Sequence, residues 1–83
     1  MKANRAFELL VSRDTREPSF FADPRRHDRI EVVSIDDGEV ILYWKVQAKL
    51  ASRLLKLLRE DLVALEAEDF IDKWIGADAE DLF

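Results

Sequence analysis

Carboxylates are the most numerous side chains in this sequence that could do chemistry. Asp36 and Asp37 are adjacent, and Asp69 and Asp72 lie one helical turn apart. Two carboxylates can hydrolyse a glycosidic bond when they face each other across a cleft and at least one lies in an apolar pocket. Nothing in the sequence marks such a pocket. The tripeptide Asp36-Asp37-Gly38 is more typical of a turn than of a metal site. We therefore interpret these acids as turn and surface residues.

Other reactive groups are sparse. The chain has no cysteine, which excludes disulfides, thiol nucleophiles and thiolate zinc sites, and its single histidine excludes a multi-histidine metal site within one chain. His27 precedes Asp28, which is half of a serine-activating arrangement, but no serine lies in a nucleophile-elbow sequence. The sequence contains 2 glycines, too few for a glycine-rich phosphate loop. We predict a non-enzymatic protein that uses no cofactor and no metal.

The most informative pattern is an inversion of charge. Every charged residue from Lys45 to Arg59 is basic, and every charged residue from Glu60 to Asp72 is acidic. A helix dipole favours acids near the N-terminus and bases near the C-terminus, so one helix over this stretch would have its charges in the unfavourable order. The formal net charge is −5, and Lys73 is the only base after Arg59. The pattern therefore indicates a binding surface, at which contact with a partner favours bases before acids along the helix.

Self-association explains the inversion most economically. In a two-fold dimer of antiparallel helices, each basic half lies beside the acidic half of its copy. Leucines at the edge of the apolar stripe could supply the apolar contact. The predicted interaction residues are Leu50, Arg53, Leu57, Glu60 and Asp61. The leading hypothesis is therefore a protein–protein interaction or regulatory module whose partner is a second copy or another protein.

Nucleic acid is the alternative partner. A basic loop beside a basic helix face could hold phosphates. The candidate residues are Arg25, Arg26, Arg29, Lys49 and Lys56. A solvated helix face is the favoured explanation of the helical bases, and the overall acidity of the chain further disfavours a polyanion. A further alternative is that the acidic segment imitates nucleic acid and blocks a basic site on another protein.

A β-hairpin over residues 30–46 is the clearest element. Segments 30–35 and 39–46 are rich in β-branched and aromatic residues and flank Asp36-Asp37-Gly38. A three-residue loop with Gly38 in the left-handed conformation separates apolar from mixed positions better than a two-residue loop. This loop pairs Ile30 with Trp44, Val32 with Leu42 and Ser34 with Val40. One face then carries Ile30, Val32, Val40, Leu42, Trp44 and Val46. The mixed face carries Glu31, Val33, Ile35, Glu39, Ile41, Tyr43 and Lys45.

A long helix is predicted to follow, from Gln47 to at least Leu65, and to pack its apolar stripe on the hairpin. The stripe consists of Ala51, Leu54, Leu55, Leu58, Leu62 and Leu65. No glycine or proline interrupts the chain before Gly76, which predicts a helix end. Residues 47–75 could form one helix or two. A break near Glu66 would let the acidic piece fold back onto the basic half.

The remaining segments complete a single α+β domain of 83 residues. Residues 6–11 fit a strand or a short helix, and we favour a strand because a two-stranded sheet is marginal alone. Residues 12–29 are predicted to be an irregular basic loop, and residues 77–83 a flexible acidic tail. The expected fold is a small antiparallel sheet with a long helix on one face and a short C-terminal helix.

The sequence predicts no contact with a membrane. No uncharged run approaches the roughly 20 residues of a transmembrane helix. Arg5 and Glu8 lie where a signal peptide needs its apolar stretch. We therefore expect a cytoplasmic location.

Overall fold

Three antiparallel strands and three helices make up the part of the chain that the structure describes. This structure, a computed structural model, describes residues 1–13 and 27–78. The elements in chain order are α1 (Ala3–Ala6), β1 (Phe7–Arg13), β2 (His27–Ser34), β3 (Val40–Gln47), α2 (Ala48–Ala64) and α3 (Ala67–Trp74). The strands form one sheet in the order β1-β2-β3. The predicted α+β fold, with a small antiparallel sheet, a long helix and a short C-terminal helix, is confirmed.

The N-terminal segment supplies the third strand. Ala6 ends α1, and β1 pairs with β2 along its whole length. The sheet is also longer than the predicted hairpin, because residues 27–29 of β2 pair with residues 45–47 of β3. Both ends of the stretch 12–29, which was predicted to be irregular, are therefore strand residues. Residues 14–26 lie outside the described part of the chain.

The register predicted for the hairpin is correct over most of its length. Ile30 pairs with Trp44 and Val32 with Leu42. Gly38 has a φ of 74°, the left-handed conformation expected of it. The alternation of apolar and polar residues therefore identifies the face of the hairpin that is buried.

The prediction for the residues next to the turn is wrong. The register shifts between Val32 and Val33, so Val40 pairs with Val33 rather than with Ser34. Ile41 is the additional residue of this irregularity. Because an inserted residue reverses the alternation, Val40 lies on the opposite face from the one predicted and is exposed.

The hydrophobic core lies on one face of the sheet. Its buried residues are Ile30, Val32, Trp44 and Val46 of the sheet, Ala51, Leu54, Leu58 and Leu62 of α2, and Phe70 and Trp74 of α3, with Ala3. The predicted stripe of α2 therefore packs on the sheet. The Phe7 and Phe70 rings are stacked at 5.9 Å between centroids, and Trp44 and Trp74 meet edge to face at 5.8 Å. The core thus spans the sheet from β1 to β3.

A break at Leu65 and Glu66 divides the predicted long helical stretch into two helices. Both residues have extended backbone conformations. The Ala3 N–H donates to the Leu65 carbonyl at 3.0 Å, and the Ala67 N–H donates to the Met1 carbonyl at 2.9 Å. The N-terminal residues therefore satisfy backbone groups that the break releases from helical hydrogen bonding.

The break also changes the meaning of the charge inversion. Glu68 and Asp69 lie in the first turn of α3 and Lys73 in its last turn, which is the order that the helix dipole favours. The Lys73 ammonium lies 2.6 Å from the Asp61 carboxylate, so α3 contacts the acidic end of α2 rather than its basic half. The unfavourable order therefore persists only within α2, which has no acid in its first turn and no base in its last.

Removing a core side chain from α2 tests this packing. We expect Leu58→Ala to lower the free energy of unfolding by about 2–5 kcal/mol, because Leu58 is fully buried and its truncation leaves a cavity. Urea unfolding followed by tryptophan fluorescence measures the change. Val63→Ala, in the same helix but 65% exposed, is the control and should change stability by less than about 0.5 kcal/mol. Equal effects of the two substitutions would contradict the packing of α2 on the sheet.

The break should also contribute a pH dependence. The α-amino group of Met1 lies 2.8 Å from the Glu66 carboxylate, and its hydrogen bond and charge lower the pKa of Glu66 below the ordinary value of 4.5. A carboxyl with a lowered folded-state pKa stabilises the fold above its unfolded pKa, and this contribution is lost as the pH falls through the folded pKa. We expect Glu66→Gln to lower Tm near neutral pH and the difference from the wild type to vanish in acid. Glu60→Gln is the control, and an unchanged difference in acid would contradict the ion pair.

Candidate protein-interaction surface

One face of the sheet is left uncovered by the described helices. Both α2 and α3 pack on the face that carries the core, and strand alternation places every second residue on the other side. We call this other side the open face. Its residues are Glu8, Leu10 and Ser12 of β1, His27, Arg29, Glu31 and Val33 of β2, and Val40, Ile41, Tyr43, Lys45 and Gln47 of β3.

The half of the open face nearest the hairpin turn is largely apolar, and Glu31 of the central strand lies between Leu10 and Tyr43. Tyr43 is 61% exposed, Leu10 45%, Val40 42% and Ile41 38%. Val33 is buried although it does not belong to the core cluster, which is consistent with its position among these residues. Contiguous exposed apolar side chains commonly mark a surface that binds another molecule.

The charges of the open face balance one another. The Arg29 guanidinium lies 4.6 Å from the centre of the Tyr43 ring and 3.7 Å from the Glu31 carboxylate. Glu8 and Lys45 are the other charged residues, one of each sign. The open face is therefore neutral in a chain whose net charge is −5. Neither a polyanion nor a polycation is favoured by such a surface.

The interaction residues predicted on α2 have different environments. Arg53 and Glu60 are exposed, and Leu50 is half-buried. Leu57 is partly buried and packs against the core. Asp61 accepts a hydrogen bond of 2.9 Å from the Trp74 indole N–H and also pairs with Lys73. Leu57 and Asp61 therefore have structural roles within the chain.

The predicted phosphate-binding residues are not gathered on one surface. Arg29 lies on the open face, whereas Lys49 and Lys56 belong to α2, which packs on the opposite side of the sheet. Arg25 and Arg26 lie outside the described residues. Arg29 is therefore not part of one basic patch with Lys49 and Lys56, as a single phosphate-binding surface would require.

The groups considered for catalysis or metal binding are also separated. His27 is exposed and Asp28 is buried, because consecutive strand residues point to opposite faces. The Asp37 carboxylate accepts a hydrogen bond from the Glu39 N–H at 2.9 Å, which is a turn interaction. Among the described residues, no group of three or more His, Asp or Glu side chains is placed to hold a metal ion.

A cleft of about 440 Å³ lies between β3 and the turn after α3. The charged residues of its lining are Lys45 and Asp78, beside the Trp44 and Trp74 rings. A lining with a single carboxylate does not assemble the pair that glycoside hydrolysis needs. The cleft therefore adds no two-carboxylate site to the described part of the chain.

Comparisons with known protein families, with curated proteins and with solved structures found no match. None of the described helices combines the length and the apolar character required to cross a bilayer. The geometry of the open face is therefore the basis for a functional proposal.

Sequence reasoning did not select the open face, although a signal for it was present. The face of the hairpin interpreted as mixed contains Val33, Ile35, Ile41 and Tyr43. A solvated sheet face normally alternates to polar residues at these positions. Weighing these four residues against the charge pattern of the helix would have identified the sheet as a second candidate surface.

The structural role of Asp61 can be tested directly. We expect Asp61→Ala to lower the free energy of unfolding by about 1–3 kcal/mol, because it removes the acceptor of the Trp74 indole N–H. Glu60→Ala, at the exposed neighbouring position, is the matched control and should change stability by less than about 0.5 kcal/mol. Thermal and urea unfolding measure both. Equal stability of the two variants would contradict the hydrogen bond.

Proposed function

We propose that this chain is a non-enzymatic protein–protein interaction module that self-associates, and that the open face is its contact surface. The supporting observation is a group of apolar residues on the open face, among them Tyr43, Ile41 and Leu10, that remain exposed in the described part of the chain. Burying apolar surface against a second chain is worth roughly 25 cal/mol per Å² removed from water. A small domain with a single layer of helices gains most from a partner on this side.

The open face is better suited to association than the outer surface of α2. The inversion of charge that suggested helix pairing is partly explained within the chain, because α3 has its own favourable charge order and Lys73 pairs with Asp61. The large apolar residue most exposed on α2 is Val63, whereas the open face has several such residues close together. Contiguity matters because isolated exposed apolar residues are normal on any surface.

A protein partner is better supported than a nucleic acid. Phosphate backbones are bound by clusters of Lys and Arg that release counterions. On the open face, Arg29 is already paired with Glu31, and Glu8 offsets Lys45. The two helical bases proposed as phosphate ligands, Lys49 and Lys56, lie beyond the opposite side of the sheet. A neutral apolar face fits another protein surface.

The test is a matched pair of substitutions at two exposed apolar residues. Tyr43→Asp places a charge among the apolar residues of the open face, and Val63→Asp places the same charge on α2. The two side chains are similarly exposed, Val63 by 65% and Tyr43 by 61%. We expect the wild type and Val63→Asp to form dimers as the concentration rises and Tyr43→Asp to remain a folded monomer. Light scattering on a sizing column gives the mass, and circular dichroism confirms folding.

Each other outcome has a defined meaning. A wild type that stays monomeric up to the highest soluble concentration would contradict self-association. A Tyr43→Asp dimer as strong as the wild type would exclude the open face, and loss of the dimer only in Val63→Asp would assign the contact to α2.

A further inference from the structure

We infer that two copies pack their open faces with the strands crossing at about 90°, so that Glu8 of each chain meets the partner's Lys45. This inference rests on the proposed function, and it names both the occupant of the open face and its orientation. It follows from the positions of four charged residues on the sheet, together with the geometry that a two-fold axis imposes.

The charged residues of the open face lie at defined points of the sheet. Glu8 is on β1 beside Val33, at the end of the sheet nearest the hairpin turn. Lys45 is on β3 beside Arg29, at the far end of the region in which all three strands pair, and the His27–Gln47 pair lies beyond it. Glu8 and Lys45 therefore occupy diagonally opposite corners, with one acid and one base. Arg29 and Glu31 lie between them on the central strand.

Sheets that pack face to face have their strands either nearly aligned or nearly perpendicular. A two-fold axis parallel to the strands gives an aligned pair and places Arg29 on the partner's Arg29, which is repulsive. An axis across the strands also gives an aligned pair, but it places Lys45 on the partner's Val40 and Glu8 on the partner's Ser12. Both charges would then lose water without gaining a partner.

A diagonal axis gives the perpendicular arrangement. The diagonal through Glu8 and Lys45 places each of these charges on its own copy, which is repulsive, whereas the diagonal through Ser12 and Val40 exchanges the two charged corners. It sets Glu8 opposite the partner's Lys45 at both ends of the contact. The same operation brings Tyr43 onto the partner's Val33 and Val40 onto its own copy, so these apolar residues meet one another, whereas Leu10 meets the partner's Arg29. Glu31 approaches its copy at the centre, where each carboxylate already has an Arg29 guanidinium at 3.7 Å. Of the four arrangements, only the one with its axis through Ser12 and Val40 pairs both corner charges.

The size of the open face predicts a weak dimer. Three strands about 4.8 Å apart and about seven residues long, at about 3.3 Å per residue, cover roughly 300 Å² in projection. A standard stable interface buries about 800 Å² per partner. We therefore expect a dissociation constant in the micromolar range or above, and concentrations should extend to about 1 mM.

Charge reversal with mixing tests the orientation. Glu8→Lys and Lys45→Glu each turn both symmetric pairs from attractive to repulsive, and each should weaken the dimer about tenfold or more at low salt. An equimolar mixture of the two variants forms a heterodimer in which both pairs are again opposite in charge. Its dissociation constant should return to within about threefold of the wild type. The double variant in one chain should behave like the wild type.

A control pair with the same charge changes separates local pairing from general attraction between oppositely charged chains. Arg53→Glu and Glu60→Lys lie on the exposed surface of α2. Each should dimerise like the wild type, and mixing them should change nothing. Sedimentation velocity at low and high salt measures all the variants and mixtures, with circular dichroism confirming that each is folded.

The outcomes distinguish this inference from the proposed function. If Glu8→Lys and Lys45→Glu dimerise like the wild type, or if mixing them does not restore the dimer, the orientation is wrong, although a monomeric Tyr43→Asp would still support the open face. If instead Arg53→Glu and Glu60→Lys each lose the dimer and their mixture recovers it, the α2 helices form the contact. A wild type that stays monomeric but binds an oligonucleotide through Arg29 and Lys45 would overturn both proposals.

Discussion

The extended backbone at Leu65 and Glu66 is held in place by the first residues of the chain, through hydrogen bonds from the Ala3 N–H to the Leu65 carbonyl and from the Ala67 N–H to the Met1 carbonyl. If α2 continued through this point, Phe70 and Trp74 would move along its axis by about 1.5 Å per residue and away from the sheet. With the break, α3 turns back and both rings enter the core. The N-terminus thus determines where the second helix can pack, and with it the completion of the core.

Helices α2 and α3 cover the same side of the sheet, and this single-sided core explains why no described helix packs on the open face. A chain of this size buries only about 60% of the surface that it exposes when unfolded. The strands and helices after α1 form a single hydrophobic core on one face of the sheet, and a pair of aromatic rings packs at each edge strand. The acidic surplus of the chain follows Arg59, at the end of α2 and beyond it, whereas the charges of the open face balance. The charge pattern and the uncovered sheet therefore describe two different surfaces of one domain.

The buried side of this fold could be predicted from the sequence, because local periodicity determines it. The alternation at Ile30 and Val32 and the spacing of the α2 leucines identified their partners correctly. Two features could not be read this way. The register shift at Ile41 reverses an alternation that looks unbroken in the sequence. The helix break has no glycine or proline to signal it, because residues at the other end of the chain stabilise it. The interaction residues predicted from the charge pattern of the helix therefore need a different interpretation once the helix break is known.

The contact that closes this break has a consequence for the order in which the molecule assembles. The Lys2 ammonium donates to the Ala64 carbonyl across a separation of 62 residues, whereas the hairpin and its junction with α2 involve neighbouring segments. Closing a long loop carries a larger entropic cost than closing a short one, and contacts between distant segments form slowly. During synthesis the N-terminal residues must also wait for residues 64–67 to emerge. We therefore expect the β2–β3 hairpin and α2 to associate first, and α3 to join the fold only when the beginning of the chain, with α1 and β1, returns to meet it.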